Sequence, residues 1–299
     1  MRWATFVAPD SPAERVGVVV EDRIHALPVG LGLVDLLPEL AEAGRSALAS
    51  PHEVVPLEEV RLRPPISRPA SIRDFYAFEE HVRTARAGRG LDVDPDWYEL
   101  PVFYFSNPAA VIGPGDPVAA APGSTELDYE LEVAAVVGRE GRDLDPAEAE
   151  ALIAGFVVMN DWSARDLQRR EMRQGLGPAK GKDFATGLGP FLVTPDELEG
   201  RRAGNAYDLT MTASVNGAEW SRGRLADIHW SFGDMLAYAS RGTKLVPGDV
   251  VGSGTCGTGC ILELSLTHGS ETFPYLRPGD RVELSVEGLG TLANPVVER

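Results

Sequence analysis

Two cysteines, five histidines and, among 28 cationic residues, only three lysines are present in this 299-residue chain. Cys256 and Cys260, spaced C-x-x-x-C in a Gly/Thr-rich stretch, are too few to complete a zinc finger or a disulfide framework. They read as reduced, buried thiols of a reducing compartment. Long hydrophobic runs are missing too. Val133–Val137 and Gly155–Met159 fall far short of the roughly 18 residues of a membrane span. The apolar start at Trp3 stops at Pro9 and Asp10, too early for a signal peptide, so a cytoplasmic protein without a membrane partner is expected. Positive charge is scarce: Lys+Arg 28 against Asp+Glu 45 leaves −17. That field repels phosphate backbones and anionic membranes and argues against nucleic-acid binding. Two of the three lysines, Lys180 and Lys182, share one short segment, where a compact ammonium offers what arginine cannot.

What is there, 43% hydrophobic and 24% charged, suits one large domain or two unequal ones. Residues 1–69 read as a small leading unit. Its strand pattern over Arg15–His25 is broken by Glu21 and Asp22, and a short helix is predicted over Leu36–Ala43, ending at Gly44. Three prolines between Arg63 and Pro69 close the unit. Residues 70–299 carry many short β runs separated by turns. Pro-Gly-Asp recurs at Pro114-Gly115-Asp116, Pro247-Gly248-Asp249 and Pro278-Gly279-Asp280, with Pro and Gly at the central positions of a type II turn. Helices are predicted over Phe75–Ala87, Pro146–Ala154 behind an Asp145 cap, Ser163–Arg173 and Asp227–Ala239. Few helices and no β-α-β rhythm imply a mixed, mostly β and mostly antiparallel architecture.

Carboxylates carry the sharpest local signal. On a strand, Glu130 and Glu132 point to one face, with Leu131 behind them. Two such groups leading into an apolar strand repel each other unless a cation compensates. A divalent metal would supply that charge; a wet edge strand is the alternative. Asp161, after the run Gly155–Met159, is either a third oxygen donor or a helix cap ahead of Ser163. An all-carboxylate set suits Mg²⁺, Mn²⁺ or Ca²⁺ rather than Zn²⁺ or copper. Arg165 and Gln168 stand at i and i+3 on one helix face. From Asp161 to Lys182 six cations meet three anions, a +3 island suited to a small anionic molecule; Arg169, Arg170 and Arg173 read as a solvated face. Asp74 and His81, seven apart, would share one side if their segment is helical. His25, His52, His229 and His268 read as structural.

Six segments occur in a fixed order: Asp74–His81, Tyr129–Val133, Met159–Gln168, Gly181–Thr186, Gly252–Thr255 and Ile261–Leu264. Together they resemble the fumarylacetoacetate hydrolase family. The resemblance implies a small N-terminal β domain plus a C-terminal mixed β-sandwich roll, assembled as a homodimer. It implies divalent-metal binding by Glu130, Glu132 and Asp161, with Asp74 a further acidic ligand as in the fumarylacetoacetase branch. It implies His81 as general base oriented by Glu263, Arg165, Gln168 and Lys182 as oxyanion donors, and Tyr76 and Thr255 as substrate contacts. The implied activity is hydrolysis of a carbon–carbon bond in a β-diketo acid, an acylpyruvate or a fumarylacetoacetate-like molecule, by His-activated water. Relatives decarboxylate a 2-oxo acid or shift its tautomer on the same metal site. A non-catalytic metal-binding protein is a third reading, but it would need neither His81 nor Glu263. Met172 stands where the fumarylacetoacetase branch carries a tyrosine, and the stretch from Thr255 to Glu263 is shorter; both differences bear on the substrate.

Overall fold

Val133–Val137, apolar at every position, is a sequence suited to a strand covered on both faces. In the computed structural model, which describes residues 1–9 and 11–299, the strand Leu131–Val137 is buried throughout. It lies in a twelve-stranded sheet whose order is 53–56, 23–26, 15–20, 2–7, 186–193, 153–161, 131–137, 250–252, 72–75 and 103–106. Two short strands, 61–63 and 111–112, attach beside this path. Most pairs are antiparallel, while 250–252 runs parallel to 72–75 and 111–112 parallel to 186–193. The strands of residues 1–69 join those of the rest of the chain directly, with Arg2 opposite Val193 and Trp3 opposite Leu192. The mixed, mostly β architecture expected from the sequence is what the chain adopts.

Alternation along the central strands divides the core in two. Leu131, Val133, Ala135 and Val137 pack with the second sheet, four strands in the order 218–224, 210–215, 281–286, 290–295, and with the helix Phe232–Ser240. Ala134 and Val136 face the other way, with Val157, Met159, Leu188, Leu192, Ile72 and Trp3, under the helices that begin at Leu33 and Leu40. The carboxylates of the candidate site, Asp74, Glu130, Glu132 and Asp161, follow the parity of this second face.

The three Pro-Gly-Asp turns form as expected. Gly115, Gly248 and Gly279 adopt φ of 76°, 87° and 100°, the left-handed region that a type II turn requires. Each Asp closes its own turn by accepting the amide three residues back: Gly113 at 2.8 Å, Val246 at 2.9 Å and Arg277 at 2.7 Å. Asp145 caps the helix Pro146–Glu150, accepting the Glu148 amide at 2.8 Å.

Other helix boundaries differ from the sequence pattern for local reasons. The helix Leu40–Ala49 runs through Gly44, where a Cβ would collide with the Met1 sulfur; the glycine is a packing site there and not a stop. Phe75–Ala87 divides into a strand, Ile72–Phe75, and a helix, Glu79–Ala87. Ser163 and Ala164 pair with Asp128 and Leu127 before the helix Arg165–Met172 begins. Ser231 caps Phe232–Ser240 by accepting the Asp234 amide at 3.0 Å, which moves that helix past Asp227. Among the described residues no helix is long and apolar enough to cross a membrane.

Candidate metal and acid–base site

Rows of apolar side chains on the second face end in carboxylates. Glu132 is two residues before Ala134, Asp161 two after Met159, and Asp74 two after Ile72, so strand periodicity turns all three toward the same space. Glu130 follows the same parity, and its amide is fixed by donation to Asn160 Oδ1 at 3.0 Å. One oxygen from each of Asp74, Glu130, Glu132 and Asp161 lies within 4.8 Å of the others, and all four residues are buried. The strand at 250–252 passes between them with Gly252. A Cβ there would stand 2.5 Å from Asp74 Oδ1 and 3.1 Å from Glu132 Oε2. The missing side chain is the space that the carboxylates occupy.

Two cations enter this cluster. Lys182 Nζ donates to both Glu130 and Asp161. Arg165 donates through Nε to Asp128 Oδ2 at 2.8 Å, through Nη2 to Glu130 Oε1 at 2.7 Å and through Nη1 to Gln168 Oε1 at 3.0 Å. Lys182 is held in place from the preceding loop, where Glu171 accepts the amides of Ala179, Lys180 and Gly181 at 2.8, 2.7 and 3.1 Å. Burial pushes the Glu130 carboxyl up, but Lys182 and Arg165 outweigh it and hold it well below the usual range. The other three go the opposite way. Burial raises Asp74 against the pull of Lys182, and raises Glu132 and Asp161 strongly, with repulsion from their carboxylate neighbours adding to it. Counting Asp128, five carboxylates face two cations, three charges short of balance.

Three oxygens record that deficit. Asp74 Oδ1, Glu132 Oε2 and Asp161 Oδ1 are buried without a hydrogen-bond partner among the described residues. Unpartnered buried acceptors of this kind are costly. An all-oxygen donor set aimed at one small space fits a hard divalent cation. Glu130 differs, because each of its oxygens already accepts from a cation. Tyr104, opposite Asp74 on the neighbouring strand, brings its hydroxyl against Asp74 Oδ2 at 2.9 Å and against Asp161. Burial and the adjacent carboxylates raise its pKa strongly.

His81 and Glu263 lie beside this cluster on two helices that pack together, Glu79–Ala87 and Ile261–His268. His81 Nδ1 is 2.9 Å from Glu263 Oε2, and both residues are buried. The helical arrangement of Asp74 with His81 does not form. Asp74 pairs into the sheet opposite Gly252 and Tyr104, the chain turns, and His81 belongs to the first turn of the following helix. The Tyr76 ring meets the His81 ring edge-on at 5.3 Å, and burial pushes its phenol up to about 12. Thr255, also buried, directs Oγ1 to Glu132 Oε1 at 3.5 Å. Met172 is exposed at the end of its helix. Arg169 pairs with Glu126 on the surface, and Arg170 and Arg173 are exposed, as a solvated face requires.

Sequence reasoning missed four contributors. Asp128 holds Arg165 and also accepts the amides of Ile261 and Leu262, at 2.7 and 3.0 Å, at the start of the helix that carries Glu263. Asn160, Tyr104 and Gly252 act as described above. Asn160 and Gly252 each fall within a segment of the resemblance and Asp128 directly precedes one, but their contacts cross between strands far apart in sequence and leave no local pattern.

Buried carboxylate oxygens short of positive charge, with an imidazole–carboxylate pair and cationic donors alongside, make a candidate site whose donor set fits a divalent metal. The chain belongs to the fumarylacetoacetate hydrolase family: the family model described as fumarylacetoacetate (FAA) hydrolase C-terminal matches residues 70–297. A human protein named as a mitochondrial oxaloacetate tautomerase is 31% identical over 257 residues, 85% of this chain and 74% of the relative. The solved fumarylacetoacetate hydrolase of Exiguobacterium antarcticum superposes with a TM-score of 0.77 at 28% identity, over all of both chains. The 5-carboxymethyl-2-hydroxymuconate delta-isomerase of Mycobacterium smegmatis does so with a TM-score of 0.72 at 27% identity, again over both whole chains.

Proposed function

We propose that this chain hydrolyses a carbon–carbon bond in a small β-diketo acid, an acylpyruvate or a fumarylacetoacetate-like molecule, working as a homodimer. The observation that carries the reading is the buried His81–Glu263 pair beside a carboxylate cluster with three unpartnered oxygens, because holding a metal in the carboxylate cluster requires no such pair. Asp74, Glu132 and Asp161, with Glu130, would hold Mg²⁺, Ca²⁺ or Mn²⁺. Such an ion supplies polarisation of the diketo oxygens and stabilisation of enolate charge.

The side chains account for the remaining steps. His81, oriented by Glu263, takes a proton from water, and the hydroxide adds to the carbonyl distal to the acid group. The resulting oxyanion meets donors still available on the cationic side. Lys182 has three N–H groups and uses two on Glu130 and Asp161; Arg165 has five and uses three. Gln168 offers its amide. One such donor is typically worth about 3–4 kcal/mol. Collapse breaks the carbon–carbon bond, giving a carboxylic acid and an enolate, and the His81 imidazolium returns its proton to the enolate carbon. Tyr76 and Thr255 line the approach as substrate contacts.

A second reading is favoured by the name of the human relative: tautomerisation of a 2-oxo acid, which needs proton abstraction and return but no water. An ultraviolet assay separates the two. Acylpyruvates, fumarylacetoacetate and oxaloacetate are incubated with Mg²⁺, Mn²⁺ or Ca²⁺ and with excess chelator, and products are weighed by mass spectrometry. Metal-dependent loss of diketo absorbance with two acid fragments supports hydrolysis. An unbroken carbon skeleton with altered enol absorbance supports the tautomerase, and CO₂ release a decarboxylase. An Asp161→Ala protein with full metal binding and activity would refute the site.

A further inference from the structure

Cys260 plays no part in the proposed reaction, yet it lies against the acid–base pair. Its Sγ donates to Glu263 Oε2 at 3.6 Å, and the thiol, one His81 nitrogen and one Glu263 oxygen all lie within 4.8 Å of one another. All three residues are buried, at 0%, 5% and 2% exposure. The second Glu263 oxygen, Oε1, is buried with no hydrogen-bond partner among the described residues, so the group has an unused acceptor. Its donor chemistry is unlike that of the carboxylate cluster: one sulfur, one imidazole nitrogen and one carboxylate oxygen.

We propose that His81, Cys260 and Glu263 form a second metal site, selective for thiophilic tetrahedral cations such as Zn²⁺, through which those cations inhibit the enzyme. Three protein ligands of these types plus a water complete zinc's preferred coordination, with bonds of about 2.0–2.3 Å. Tetrahedral bonds of that length place neighbouring donors about 3.3–3.8 Å apart. The 2.9 Å and 3.6 Å separations need only small side-chain adjustments to reach that range. On binding, the thiol proton leaves to solvent and the thiolate, imidazole and carboxylate bind the cation together. Mg²⁺ and Ca²⁺ do not compete, because hard cations take oxygen donors and not sulfur. The imidazole that would accept a proton from water is then committed to the cation, so activity stops while the carboxylate cluster stays filled. The site depends on side-chain geometry alone and stands whichever reaction the enzyme performs.

Co²⁺ is the probe. The full-length protein, with excess Mg²⁺ occupying the carboxylate cluster, is titrated with Co²⁺ to one equivalent under reducing conditions. A thiolate-to-cobalt charge-transfer band together with intense tetrahedral ligand-field bands is expected in the wild-type protein and in Cys256→Ser, and not in Cys260→Ser. Zn²⁺ should bleach the bands and inhibit turnover at low concentration. Cys260→Ser should raise the inhibitory concentration at least about tenfold, since losing a ligand weakens a site no less than losing one of its outer supports. Weak octahedral bands alone, or a charge-transfer band that survives in Cys260→Ser and vanishes in Cys256→Ser, would overturn the proposal. Because the spectra need no substrate, they decide the matter even if the assay above finds no turnover.

Discussion

Gly252 shows how a single residue can matter by what it leaves out. Its backbone closes the sheet between Ala134 and Asp74, and any side chain would enter the space in which Asp74 and Glu132 direct their unpartnered oxygens. Gly252→Ala would also crowd the Met159 methyl, 3.0 Å from the added carbon. Overpacking of this kind costs about 1–3 kcal/mol, and the carboxylates must give way along with the methionine. Two effects are expected together: a lower denaturation midpoint in urea without metal, and Mg²⁺ affinity reduced at least about tenfold in calorimetry. Loss of stability with unchanged metal affinity would place the strain elsewhere. Tyr104 matters differently. A neutral phenol has one proton to share between Asp74 and Asp161, so at any moment one of these contacts relies on a protonated carboxyl or is repulsive. Their raised pKa values agree with that.

Among the elements, the helix Ile261–His268 depends most on a residue outside itself. Cys260 at its N-cap makes no side-chain cap; Asp128, from a strand 133 residues earlier, accepts the first two amides and holds Arg165 with its other contact. One carboxylate thus fixes the origin of Glu263 and the direction of Arg165. Asp128→Asn keeps the shape and removes the charge, leaving a buried guanidinium short of a partner. Breaking a buried pair in this way costs about 3–5 kcal/mol. Urea unfolding measures that loss, and a value within experimental error of wild type would show that the pair is dispensable.

Contacts of this kind also mark where sequence reading stops. The Glu130–Glu132 pair, the strand end at Asp161, the face shared by Arg165 and Gln168, and the three Pro-Gly-Asp turns were all legible, because each follows from the period of a single element or the φ of a single residue. The helix over Ile261–His268 was not. Its first turn is capped from far away, and its motif was recognisable only by resemblance. Asp74 misled for a related reason: seven residues fit a helix as well as a strand, turn and helix, and only pairing with Gly252 and Tyr104 decides between them.

At the scale of the whole molecule, the raised carboxyl groups set the response to pH. Ordinary carboxyls titrate near about pH 4, whereas Asp74, Glu132 and Asp161 hold their protons to higher pH in the folded, metal-free protein. Between those limits the native state binds protons that the unfolded chain has lost, so raising the pH removes stability. A cation needs the same groups deprotonated, and its affinity rises over the same interval. The increase in Tm on adding saturating Mg²⁺ is therefore expected to be larger at about pH 8 than at about pH 5. Scanning calorimetry at both pH values checks this, and an equal or opposite difference would remove the cluster as the metal site.

The pairing of Trp3 with Leu192 has one last implication. A fragment beginning at residue 70 would keep every functional side chain, yet it would strip the Leu192 end of strand 186–193 of its neighbour and uncover the apolar surface that Trp3, Val16 and Val18 now seal. An uncovered β edge bordered by greasy side chains invites another chain to add itself. Such a fragment should leave a sizing column near the void volume while the intact protein elutes as one discrete species. The first strand is thus expected to act as a seam that covers the Leu192 end of strand 186–193.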